Sequence, residues 1–260
     1  MPVLSASFRI TLRPPHLNFI MLIFAHRGAS GYAPENTLAA FDKALALNAE
    51  AIELDVHNVE GELMVFHDRQ LAGKSNGRGL IHQQTLENLS KLSVQGEPIP
   101  SLWQVLTLVA ARCIVNIELK GIGCVAPFIA MYAKAIEELN FKPEQLLTSS
   151  FNHLYLAQVK HTLPQCHVAP LLAGIPLNLA QVGTELNAYS INLDIGFINQ
   201  ALITDAHARG LKVYVYTVDD GDDIRALKHL NVDGIFSNYP DKAKLALTQN
   251  PKTNYRHWFE

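Results

Sequence analysis

The sequence predicts an α/β protein, a (β/α)8 TIM barrel with a small insertion after the second strand. Three observations carry that prediction. Short aliphatic runs alternate eight times with longer stretches at helical spacing, and strands joined by helical crossovers are parallel. The runs are continuously apolar, as in Cys113-Ile114-Val115 and Val213-Tyr214-Val215, which suits strands buried on both faces. The chain has 260 residues, and about 250 make one such barrel.

The expected strands are 20–25, 50–56, 113–118, 145–149, 167–171, 189–193, 211–217 and 233–236. The expected helices are 37–47, 101–111, 125–139, 152–162, 178–187, 199–208, 220–230 and 240–247. In the first helix Leu38, Phe41 and Leu45 recur on one face, and Asn36 or Thr37 supplies the cap. Asn152 and Asp220 stand at comparable helix starts, and Gly210 is a stop signal. Residues 57–100 break the rhythm. They hold an extra strand at Glu62-Leu63-Met64-Val65-Phe66 and a turn cluster at Gly73-Lys74-Ser75-Asn76-Gly77, and read as an insertion over the barrel mouth.

The barrel is expected over 21–248, with 1–20 as an extension outside the core and 249–260 as a tail. The stretch Met1 to Ile20 lacks the sustained apolar run of a secretory signal, and Met21 could be the natural start. No stretch is long enough to span a membrane. Cys113, Cys124 and Cys166 form no CxxC and read as reduced, partly buried thiols in a reducing compartment, the cytoplasm. The net charge of −3 lacks the basic surplus of a nucleic-acid binder. A small anionic substrate stays open, because local charge makes a site.

In this architecture the chemistry sits at the C-terminal ends of the strands. Polar residues gather there: His26 and Arg27, Glu53 and Asp55, His67 and Asp68, Glu118 and Lys120, then Ser149-Ser150-Phe151, Asn192, Asp194, Thr217 and Ser237-Asn238. Glu53 and Asp55, two apart on one strand, share a face where a barrel normally packs Val, Ile or Leu. Glu118 adds a third carboxylate on the adjacent strand. Three oxygen donors without nearby cysteine fit one hard divalent cation, Mg²⁺ or Ca²⁺, with Mn²⁺ also compatible. The alternative is an ion-pair network in which Arg27 and Lys120 neutralise the acids. His26 and His67 suit general acid–base roles, and Arg27 and Lys120 suit phosphate oxygens. His57 is offset by two from Asp55, which would let it face the site, but it is expected on an exposed loop.

The run His26-Arg27-Gly28, Pro34-Glu35-Asn36-Thr37, Glu53-x-Asp55, His67-Asp68, Glu118-x-Lys120 and Asp233-Gly234-Ile235 resembles the glycerophosphodiester phosphodiesterases. The resemblance spans about 22–245. It implies Glu53, Asp55 and Glu118 as metal ligands, His26 and His67 as the acid–base pair, and Arg27 and Lys120 as phosphate contacts. Glu35 would support the site, with Phe151 and Tyr216 on the substrate side. It further implies a small-molecule glycerophosphodiester substrate, cleaved to glycerol 3-phosphate and an alcohol. Departures fall on the substrate-facing wall: Tyr216-Thr217 stands where the family often has Trp-Thr, and Ser237-Asn238-Tyr239-Pro240 where it has Thr-Asp-Tyr-Pro. Two rivals are a phosphodiesterase for lysophospholipids or other phosphodiesters and a non-catalytic phosphoester-binding barrel. The first needs an apolar approach, and the loops show no obvious apolar cluster.

Overall fold

The computed structural model describes residues 21–249, so the extension at 1–20 and all but the first residue of the tail at 249–260 lie outside the described residues. The chain enters through β1 (Leu22–Ala25) and α1 (Leu38–Ala46), then β2 (Ala51–Val59) and β3 (Glu62–Val65). The single helical turn α2 (Leu86–Leu89) and the small hairpin of β4 (Ser93–Val94) and β5 (Glu97–Pro98) follow. The βα alternation resumes with α3 (Leu102–Val109), β6 (Ile114–Leu119), α4 (Val125–Leu139), β7 (Leu146–Ser150), α5 (His153–Thr162) and β8 (His167–Leu172). It ends with α6 (Gln181–Glu185), β9 (Ser190–Asp194), α7 (Gln200–Ala208), β10 (Lys212–Tyr216), α8 (Gly221–His229), β11 (Gly234–Ser237) and α9 (Pro240–Leu247).

The sheet runs β1-β11-β10-β9-β8-β7-β6-β2 and closes through β1 on β2, so eight parallel strands make a (β/α)8 barrel. The second strand is longer than its sequence suggests. His57, Asn58 and Val59 continue β2 because they pair antiparallel with Met64, Leu63 and Glu62 of β3. The turn between them has positive φ at Glu60 and Gly61, the handedness that a tight hairpin needs. Beyond β3 the insertion builds its own small core from Val59, Met64, Phe66, Leu71, Ile81, Leu89, Val94 and Ile99. The helix expected at 178–187 shrinks to α6, since Leu179 takes a left-handed φ that a helix cannot continue through. Thr37, not Asn36, caps α1, its hydroxyl accepting from the Ala40 amide.

Inside the barrel Phe24, Ala51, Leu147, Ala169, Tyr214 and Phe236 pack into a plug. Phe24 stacks on Phe236 at 4.6 Å and meets Tyr214 edge-on at 5.0 Å. Removing such a ring costs about 3–5 kcal/mol. The plug also sets the level of the chemistry. Strand side chains repeat every two residues, so His26, Glu53, Tyr216 and Asn238 each stand two positions above a plug residue, on the same inward face.

The opposite end of the barrel serves stability. Asp233, just before β11, accepts from His207 Nε2 at 2.8 Å, Lys212 Nζ at 2.8 Å and the Val213 amide at 2.9 Å. The three cysteines are buried and unbridged.

Candidate active site

Glu53 and Asp55 rise side by side on β2, and the β2–β6 register sets Glu118 level with Asp55. One oxygen from each carboxylate lies within 4.8 Å of the others. Three carboxylates this close repel one another unless protons or cations intervene.

Compensation is uneven across the trio. Asp55 receives Asn36 Nδ2 at 2.9 Å, with Arg27 Nε at 3.3 Å and Lys120 Nζ at 3.5 Å. Burial alone would raise its pKa, but Lys120 and Arg27 outweigh burial and hold it below the usual carboxylate range. Glu118 holds Lys120 Nζ at 2.8 Å, yet burial and then Asp55 push it up to about 7. Glu53 has the Arg27 backbone N–H at 2.9 Å and His26 Nε2 at 3.9 Å, and no ion pair to a lysine or arginine among the described residues. Burial, then Asp55 and Glu118, raise it well above the ordinary range. The ion-pair network weighed against a cation therefore covers Asp55 and Glu118 and stops short of Glu53. An oxygen-only trio with one unneutralised member fits a hard divalent cation.

Both histidines are held through Nδ1. His26 Nδ1 lies 2.8 Å from Asn238 Oδ1. The Asn238 amide nitrogen donates to Asp219 Oδ2 at 2.6 Å, which turns the amide oxygen toward His26. Ser30 Oγ donates to the same oxygen at 2.7 Å. This network assigns the His26 proton to Nδ1 and leaves a lone pair on Nε2, toward Glu53. Burial and then Arg27 lower the His26 pKa to about 4, so the ring is neutral at pH 7. His67 Nδ1 lies 2.5 Å from Asp68 Oδ1, which frees its Nε2 in the same way. Burial is the main cause of its lowered pKa.

The β1–α1 loop brings in the cation of the motif. Arg27 and Asn36 both take left-handed φ, and Gly28 follows at +80°. A Cβ on Gly28 would lie 2.6 Å from the Ala40 carbonyl carbon, so this loop closes onto α1 only with glycine there. Arg27 Nη1 donates to Glu35 Oε1 at 2.9 Å, and Lys74 of the insertion donates to Glu35 Oε2 at 2.8 Å. The insertion thus meets Glu35 through an ion pair, besides carrying His67 itself.

Phe151 and Tyr216 meet edge-on at 6.1 Å, and Lys120 Nζ stands 5.9 Å from the Phe151 ring centre. The structure therefore brings His26, Arg27, Glu35, Glu53, Asp55, Glu118, Lys120, Phe151 and Tyr216 to one mouth, and the segment bearing His67 is joined to β2 where the His67 carbonyl meets His57 Nε2 at 3.1 Å.

Known proteins resemble the chain along most of its length. The glycerophosphoryl diester phosphodiesterase family matches residues 26–242. The chain belongs to that family. Family membership makes it a phosphoric diester hydrolase. A glycerophosphodiester phosphodiesterase of Caldanaerobacter subterraneus subsp. tengcongensis is 35% identical over 231 residues, covering 85% of this chain and 95% of the relative. A protein of the same name from Bacillus altitudinis is 33% identical over 237 residues, covering 85% of this chain and 96% of its own length. Among solved structures, an Oleispira antarctica phosphodiesterase in complex with the product sn-glycerol-3-phosphate superposes with a TM-score of 0.81 at 29% identity. It covers 89% of this chain and 98% of its own.

Two expectations change. His57 is buried, not on an exposed loop; its Nε2 donates to the His67 carbonyl at 3.1 Å and so props the segment bearing the second histidine. The signal was its place two residues beyond Asp55 on a strand that continues. The rim is also not free of apolar surface, since Ile122, Phe151, Leu154, Ile175, Leu177 and Phe197 are all exposed. They are carried by the connections after β6, β7, β8 and β9. Asn36, Asp68, Asn238 and Asp219 were missed as orienting residues. Asn36 and Asp68 stand within the motifs, but Asn238 reaches His26 only through the closed barrel, and Asp219 acts through Asn238.

Proposed function

We propose that this enzyme hydrolyses glycerophosphodiesters to glycerol 3-phosphate and an alcohol, with His26 and His67 as the proton-transfer pair. The observation that carries the reading is their matched state: each ring is tied at Nδ1, to Asn238 and to Asp68, and each keeps Nε2 for the reaction. One histidine takes the proton from the attacking oxygen, either water or a hydroxyl of the substrate itself. The other gives a proton to the departing alcohol. Arg27 and Lys120 face the phosphate oxygens, while Glu35 holds the Arg27 fork in place. Glu53, Asp55 and Glu118 would hold one divalent cation, Mg²⁺ or Ca²⁺ by donor chemistry and Mn²⁺ next. Such a cation supplies charge stabilisation for the phosphoryl transition state. The buried free thiols fit a reducing compartment, so we assign the enzyme to the cytoplasm.

Release of glycerol 3-phosphate from glycerophosphocholine tests the reading. Excess chelator should abolish it and readded Mg²⁺ or Ca²⁺ should restore it. His26→Ala and His67→Ala should each lose about 10²–10⁴-fold in kcat. Full activity in chelator, or an unchanged rate for either variant, would overturn it.

A further inference from the structure

A phosphodiester has two ester arms, and two cavities flank the phosphate-facing groups. One, of about 510 Å³, opens beside Glu118, Lys120 and Phe151. The other, of about 290 Å³, lies between the β1–α1 loop and the insertion. Ser30, Tyr32 and Glu35 line its barrel side, and Lys74 and Gln95 line the insertion side. Glu35 ties this second cavity to the reaction centre. Its Oε1 accepts from Arg27 Nη1 at 2.9 Å and its Oε2 from Lys74 Nζ at 2.8 Å, so two hydrogen bonds bridge the arginine and the lysine. A phosphate held by Arg27 therefore has Lys74 within reach of a small head group.

The turn that carries Lys74 is fixed on both sides. Ser75 donates to the Leu71 carbonyl from its amide at 3.0 Å and from Oγ at 2.7 Å. The Asn76 amide donates to the Ser93 carbonyl at 3.1 Å, and Asn76 Oδ1 accepts from the Ser93 amide at 2.8 Å. The Lys74 side chain is still 40% exposed. An ammonium has three N–H donors, and Glu35 takes one of them. Tyr32 brings further positive charge to the same cavity. Lys43 Nζ and Lys242 Nζ each stand 5.7 Å from its ring centre, while Asp241 accepts its hydroxyl at 2.8 Å. Lys43, Lys74 and Lys242 thus outnumber Glu35 and Asp241, and the donors left on Lys74 suit an anionic group.

We propose that this second cavity is the head-group subsite and Lys74 its selecting residue, so that the enzyme favours a head group bearing a carboxylate. This rests on the phosphodiesterase reading above and deepens its substrate class. An amino-acid head group such as serine matches the Glu35–Lys74 pair at both ends. Its carboxylate accepts from Lys74, and its ammonium donates to Glu35. The reaction keeps the same balance. Phosphorus gains an oxygen from water, its bond to the serine oxygen breaks, and that oxygen leaves with a proton.

Glycerophosphoserine and glycerophosphoethanolamine differ only by that carboxylate. The test is the ratio of their kcat/KM values, by glycerol 3-phosphate release with Mg²⁺ or Ca²⁺ present. The wild type should favour glycerophosphoserine by about threefold to tenfold. Lys74→Met should bring the ratio close to one, Lys74→Glu should take it below one, and Lys74→Arg should keep the preference. Any loss from a displaced Arg27 falls on both substrates and cancels in the ratio. Thermal melts check that the variants stay folded. A wild-type ratio near one, with glycerophosphoethanolamine still turned over, overturns the subsite and leaves the parent reading intact. An unchanged ratio in Lys74→Met, with equal losses on both substrates, reduces Lys74 to a support for Glu35 and also overturns it. If Lys43→Gln with Lys242→Gln lowers the ratio as far as Lys74→Met does, the preference belongs to the general field and the subsite is again overturned. No glycerol 3-phosphate from either substrate overturns the parent reading and the subsite with it.

Discussion

The side-chain oxygen of Asn238 lies 2.8 Å from Nδ1 of His26, across 212 positions of sequence. It is held there by Asp219, which takes both the amide and the backbone N–H of Asn238. His26 thereby has one tautomer and one orientation. Asn238→Leu should keep the fold and lower kcat by about tenfold to a hundredfold, a part of what a proton-transfer group supplies. Steady-state kinetics beside a thermal melt checks this; an unchanged kcat would remove Asn238 from the machinery.

Asn36 grips Asp55 twice, donating from Nδ2 at 2.9 Å and facing the Asp55 amide with Oδ1 at 3.4 Å. Orienting a ligating carboxylate in this way is typically worth 10–100-fold in metal affinity. Asn36→Ala should weaken divalent-cation binding by about that factor in calorimetric titration. The variant retains Thr37, so α1 keeps its cap.

Gly28→Ala should be severe. A left-handed φ of +80° and a contact of 2.6 Å to the Ala40 backbone act together. A loss of about 2 kcal/mol or more is expected, seen as a Tm lower by about 4–8 °C. Because Arg27 precedes this glycine, activity should fall further than stability alone explains.

Acid should expose the clamp at the far end of the barrel. Burial would raise the Asp233 pKa, but hydrogen bonds from His207, Lys212 and the Val213 amide hold it below the ordinary range. A group with a depressed folded pKa stabilises fully above its unfolded value of about 3.9 and loses that contribution as pH falls through the folded pKa. Asp233→Asn should therefore cost about 1.5–3 kcal/mol at pH 7, and the gap to wild type should close below pH ~4. Denaturant midpoints across that pH range would measure it.

Much of this was legible in the sequence, for a physical reason. The barrel rhythm shows because buried parallel strands must be apolar throughout. The polar residues that interrupt them, Glu53, Asp55 and Glu118, stand out against that background. His26 and His67 were legible because each ends such a run. What stayed hidden was relational. His57 looked like a loop residue, since nothing local shows that β2 continues until it pairs with Met64. Asn238 shows only as a polar residue at a strand end, because its contact with His26 exists only once β11 lies against β1, and Asp219 acts one step further back, through Asn238. The exposed apolar residues escaped for the same reason, six of them being spread over four separate connections.

The short α6, only five residues long after β8, has a last consequence. The loops after β7, β8 and β9 carry none of the carboxylates or histidines, so their composition is free to drift while the reaction centre stays fixed. Within one barrel, what the enzyme accepts can evolve independently of how it cuts.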